Sequence, residues 1–157
     1  MIQRIQSLYL LLATILVVVC MASCIGYYIS DDDGRVGQLF NLLCEGYEEG
    51  HPANLGTTIS LFIILLITST LTFLNIFLFK YRALQMRVCT FCMILLVGWY
   101  AAYAFFAWYF LDAFQTEVSF KVSVWASLPF VSLILLYLAF RGIFKDEKLV
   151  RSLDRLR

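Results

Sequence analysis

Four stretches of the chain are apolar almost without interruption, and the polar residues collect between them. The stretches run at about 5–29, 57–79, 88–111 and 122–144. A helix rises about 1.5 Å per residue, so each is long enough to cross a hydrocarbon layer of about 30 Å with some tilt. Backbone groups in lipid must be bonded within their own segment, so the pattern predicts helices. The alternating apolar and polar segments of a membrane barrel are absent from the sequence. The predicted fold class is all-α: one integral membrane four-helix bundle with both termini cytoplasmic and a short amphipathic C-terminal helix. Residues 30–56 form an outer loop and 145–157 a cytoplasmic tail. The turn between the second and third spans is short enough to make a tight helical hairpin.

Composition agrees with the pattern. Hydrophobic residues make up 62% of the 157, charged residues 15%, and mean hydropathy is +0.83. A soluble domain is about half apolar and a quarter charged, and one this small leaves much of its surface wet. Net charge is only +1, but the charges are sorted. Ten of the twelve basic residues fall before the first span, between the second and third, or at the end of the fourth and beyond it. Arg35 and Lys121, with eight of the eleven acids, fall in the other two connections. The positive-inside rule then puts the termini and the 80–87 turn in the cytoplasm. A signal peptide ending near Met21-Ala22-Ser23-Cys24 is disfavoured, because the apolar run continues to Ile29.

Within the outer loop, Val36, Leu39, Phe40, Leu42 and Leu43 are expected to form one or two helical turns on the membrane surface. Polar positions in the spans repeat with helical spacing. Thr68, Thr72 and Asn75 share a face of the second span, and Ser119, Ser123 and Ser127 are expected to share one around the start of the fourth. Gly98 and Ala102 give a small-x-x-x-small step. These features predict helix-to-helix contact, with a solute path as the sharper alternative. Pro129 is expected to kink the fourth span and free a carbonyl near Trp125. In the aromatic run Trp99–Phe110, Trp108 and Tyr109 suit an interfacial belt, while Trp99, Tyr100 and Tyr103 are expected to pack against neighbours.

The chemistry on offer is thin. Cys89 and Cys92 form a C-x-x-C, but they follow Arg87 and so fall on the side whose thiols stay reduced. Cys20, Cys24 and Cys44 lie toward the other side and contain no C-x-x-C. The single histidine, His51, is remote from the C-x-x-C, so a zinc site is not expected. Asp31–Asp33 with Gly34 lacks the alternating acids of a calcium loop. No catalytic residue, cofactor or metal is predicted, and basic residues beside a bilayer favour anionic headgroups over nucleic acid. In the tail, Leu149, Leu153 and Leu156 line one helical face, flanked by Lys148, Arg151, Arg155 and Arg157.

Three blocks carry a resemblance: MIQRIQSLYLLLA at the start, FKYRALQMRVC at the turn and DEKLVRSLDRLR at the end. Together they resemble a family of small bacterial membrane proteins known as domain of unknown function 4293. The resemblance covers the whole chain and implies a four-helix inner-membrane protein with no assigned chemistry. All three blocks lie on the predicted cytoplasmic side. The expected function is therefore a non-catalytic accessory subunit or scaffold. Its docking residues for a membrane or cytoplasmic protein partner or for lipid would be Arg4, Lys80, Arg82, Gln85, Arg87, Lys148, Leu149, Arg151, Leu153, Arg155 and Leu156. The alternatives are a quinone-coupled thiol oxidoreductase using Cys89 and Cys92, and a small oligomeric transporter.

Overall fold

The computed structural model describes residues 2–30, 34–48, 51–78, 81–113 and 118–154. Side chains at 2–4, 34–36, 47–48, 51–54, 82, 112–113 and 149–154 lie outside the description. Four helices form: α1 (Ile2–Ala22), α2 (Ile59–Phe77), α3 (Arg82–Ala113) and α4 (Leu128–Asp154). All four are long and apolar enough to cross a membrane. Round the ring, α1 packs on α2 and α4, and α3 packs on the same two helices.

The buried positions obey one rule in every helix. They fall at Gln6, Leu10, Ala13, Val17 and Cys20 in α1, and at Leu61, Leu65, Thr68, Thr72 and Asn75 in α2, where Ser69 beside Thr68 is the one addition to the pattern. In α3 they include Gln85, Cys89, Cys92, Leu96, Trp99 and Tyr103, and in α4 Ser132, Leu136, Ala139, Ile143 and Asp146. Steps of four and three alternate throughout. That is the period, about 3.5 residues, of helices wound gently round one another, with knobs on one helix seated in holes on the next. The outward positions are apolar as well, among them Ile15, Ile63, Leu74, Ile94, Val97 and Ile134. Apolar residues therefore cover much of the outside of the helices as well as the inside.

The all-α expectation fails between and beyond the helices. A five-stranded antiparallel sheet joins α1 to α2 and α3 to α4. Its strands are β1 (Cys24–Ser30), β2 (Gly34–Phe40), β3 (Leu43–Glu48), β4 (His51–Thr57) and β5 (Val118–Val122). The spatial order is β4-β3-β2-β1-β5. The expected first span thus stops at Ala22. Its last apolar residues are strand β1, where Ile25, Tyr27, Tyr28 and Ile29 suit an extended chain. The expected surface helix at 36–43 is the end of β2, a turn at Asn41–Leu42 and the start of β3.

Two further expectations are corrected at the start of α4. Pro129 is the second residue of the helix. No intrahelical N–H is needed there, so the proline starts α4 instead of kinking it. The carbonyl of Trp125 is bonded by the Leu128 N–H. The serine face also dissolves. Ser119 lies in β5, Ser127 in a single 3-10 turn at Val124–Ser127, and buried Ser123 between them.

Chain order puts the sheet at one end of the helices. The start of α1, the end of α4 and the connection between α2 and α3 lie at the other. The two are called the sheet end and the turn end below.

Candidate functional site

Polar side chains gather at both ends of the helices. At the sheet end they form a seam between the strands and α3. The aromatic run supplies one side of it, with Trp99, Tyr103, Phe106 and Phe110 following the same four-and-three spacing. Trp99 donates its indole N–H to Asn41 Oδ1 at 3.2 Å, and Asn41 Nδ2 donates to the Cys20 carbonyl at 2.7 Å. Asn41 is 1% exposed. One turn residue therefore caps the last turn of α1 and anchors α3, since a helix end must find partners for its last carbonyls. Tyr103 donates to the Ile25 carbonyl at 2.9 Å, Tyr100 to that of Ala126 at 2.8 Å, and Tyr28 to that of Ala107 at 3.3 Å. Thr58 donates its hydroxyl to the Phe40 carbonyl at 2.8 Å and its N–H to that of Leu42 at 3.0 Å. The Trp99 and Tyr103 rings stack with centroids 5.3 Å apart.

The sheet meets these rings with a floor of small residues. Register places Gly26, Leu39, Cys44 and Gly56 in one row and Tyr28, Gly37 and Gly46 in the next. Alternation along the strands puts both rows on one face. A Cβ at Gly26 would collide with the Phe120 ring, and one at Gly56 would stand 2.9 Å from Phe110 Cε1. A side chain at either position would force the facing ring to move. Cys24 and Cys44 have β2 between them. Strands lie about 4.8 Å apart, so their backbones are too far apart for a disulfide.

The turn end has a smaller network. Asn75 Nδ2 donates to the Gln85 carbonyl at 3.4 Å and to Cys89 Sγ at 3.1 Å, and Gln85 Nε2 returns a bond to the Asn75 carbonyl at 3.2 Å. Asn75 Oδ1 is buried without a partner. Across the ring, Gln6 Nε2 donates to Asp146 Oδ2 at 2.6 Å, tying α1 to α4.

The residues expected to dock a partner fall into several groups. Arg87 and Lys148 are exposed at the turn end. Gln85 is 4% exposed and turned inward, where it locks the helical hairpin. For Arg4, Arg82, Leu149, Arg151 and Leu153 only the helical backbone is described. Lys80, Arg155 and Leu156 lie outside the described residues. The tail helix is unbroken with α4 as far as Asp154. Sequence reasoning placed Gln6 and Asp146 on this side but did not pair them. Asn41 it missed altogether, since a lone asparagine in a loop carries no pattern.

Cys89 and Cys92 share a face of α3, and both are fully buried. Disulfide exchange needs an accessible thiolate, so these thiols would have to be uncovered before reacting. Thr68 and Thr72 give their hydroxyls to the carbonyls of Ile64 and Thr68. Such back-bonding leaves them little to offer a passing solute. Among the described residues, no three His, Cys, Asp or Glu side chains come together as a metal site would need.

A family described as a domain of unknown function (DUF4293) matches residues 2–156, nearly the whole chain. The protein belongs to that family. No curated protein matches the sequence.

Proposed function

We propose that this is an integral protein of the bacterial inner membrane, a four-helix bundle with its turn end in the cytoplasm and its sheet on the opposite side. It acts as an accessory subunit or scaffold without chemistry of its own. It docks a membrane or cytoplasmic protein through the basic turn and tail, which also rest on anionic headgroups. One observation carries the reading: ten of the twelve basic residues belong to the turn end, and eight of the eleven acids to the connections at the sheet end. Positive charge collects on the cytoplasmic side of membrane proteins. Arg87 and Lys148 are exposed there, placed to meet a partner's acidic groups. The polar groups in the helix interior are spent on carbonyls of their own helix or on neighbouring helices, which suits a rigid platform better than a reaction centre.

The test is affinity purification in a mild detergent, comparing the full chain with one ending at Lys148. That cut keeps Asp146 and its bond to Gln6, so the α1–α4 contact survives. Loss of a specific co-purifying protein with the tail supports the reading. An unchanged set of associated proteins, with full function in the cell, removes it.

A further inference from the structure

The four helices do not end at one level on the sheet side. Arg87 and Trp108 are both exposed on α3. Their separation along the axis is roughly 31 Å at about 1.5 Å per residue, which matches a hydrocarbon core of about 30 Å. Trp108 is 72% exposed and Tyr109 60%. Aromatics in such positions mark a membrane interface. The other three helices stop lower. Asn41 holds the last turn of α1 level with Trp99, and the Tyr100 bond to Ala126 brings the start of α4 near Tyr100. Thr58, just before α2, is tied to the Asn41–Leu42 turn through its bonds to Phe40 and Leu42. These three legs therefore fall short of the Trp108 level by roughly two turns of α3, about 12–14 Å.

The base of the sheet fills that gap. Leu42 is 45% exposed, Val122 65%, Val124 84% and Trp125 47%. An apolar rim of this kind continues the outer surface of α4, where Phe130, Val131 and Ile134 are exposed as well. Backbone at membrane depth must be bonded inside the protein, and three groups at the base of the sheet supply such bonds. The Ser123 N–H reaches the Ile25 carbonyl at 3.1 Å, Thr58 bonds Leu42 and Phe40, and Asn41 bonds Cys20. Lys121 is exposed beside Val122. Its side chain is long enough to snorkel to the headgroups.

We infer that the base of the sheet is immersed in the membrane on the sheet side, with Leu42, Val122, Val124 and Trp125 against acyl chains well below the headgroups. Strands, not helices, complete three of the four crossings. The inference rests on the membrane reading above, and the experiment separates the two.

Full-length Trp108→Phe protein, reconstituted in vesicles of lipid brominated deep in the acyl chain, leaves Trp125 as the exposed reporter beside buried Trp99. Trp125 emission should fall with lipid bromine and resist aqueous iodide. In a Trp108→Phe, Trp125→Phe background, Leu42→Trp should behave the same way. Ile134→Trp in that background reports on the helices alone. If Ile134→Trp is quenched by lipid bromine while Trp125 and Leu42→Trp answer only to iodide, immersion of the sheet is overturned and the membrane reading stands. If Ile134→Trp escapes lipid bromine too, the membrane reading falls and the inference with it.

Discussion

Asn41 and Asn75 are both buried asparagines at a helix end, and they are used differently. Asn41 spends its amide on Cys20 and its carbonyl on Trp99, joining a turn of the sheet to two helices. Asn75 spends its amide on Gln85 and Cys89 within one hairpin, and its Oδ1 has no partner. The sheet end is a joint between unlike layers, where every displaced backbone group must be bonded again. At the turn end the α2–α3 hairpin joins neighbours in sequence, and the Gln6–Asp146 bond ties α1 to α4 beside it. One end tolerates an unsatisfied oxygen; the other would lose its geometry with it.

Substitutions should separate the two ends. Asn41→Ala leaves the buried Trp99 indole unpaired and takes from the Cys20 carbonyl one of its two donors, the Ser23 N–H remaining, at a cost of about 2–3 kcal/mol. Thermal unfolding in detergent should show it as the most damaging of these changes. Gly26→Ala, pressed on Phe120, is expected to cost about 1–3 kcal/mol, and Phe120→Leu should restore part of that. Gln6→Ala strands the buried Asp146 carboxylate and should cost about 1–2 kcal/mol, while Asp146→Asn, which keeps an acceptor, should cost less. Gly142→Ala is the contrast to Gly26 at the turn end. Its nearest neighbour is the flexible Gln6 side chain, at 3.2 Å. The cost there should stay below about 1 kcal/mol. Asn75→Leu should fall within about 1 kcal/mol of the parent, because it removes the orphaned oxygen together with the bonds.

The four helices were legible because bilayer-length apolar runs leave few other readings. The facing of Thr68, Thr72 and Asn75 was legible because polar residues stand out on an apolar helix. The sheet was not, for two physical reasons. Cys24–Ile29 is as apolar as the helix it follows, so hydropathy runs across the boundary at Ser23. The strands beyond it carry Gly37, Gly46 and Gly56 on the face that lies against α3, and glycine reads as a turn when its packing partner is unknown. Pro129 was misplaced for the same reason: once residues 118–127 are strand and 3-10 turn, the proline falls at a helix start. At the turn end, side chains at 149–157 lie outside the described residues, so the tail's role stays with its sequence pattern: leucines on one face and basic residues beside them.

If the turn end, and not the sheet end, meets a partner, crosslinking from the two ends should differ. The direct measurement places a photo-crosslinking amino acid at Arg87, and separately at Lys121, in the full chain at native expression. Both positions are exposed, at opposite ends of the molecule. The expected result is a defined protein adduct from position 87 that disappears when the chain ends at Lys148, and none from position 121. An adduct from position 121 with position 87 silent would contradict docking at the turn end.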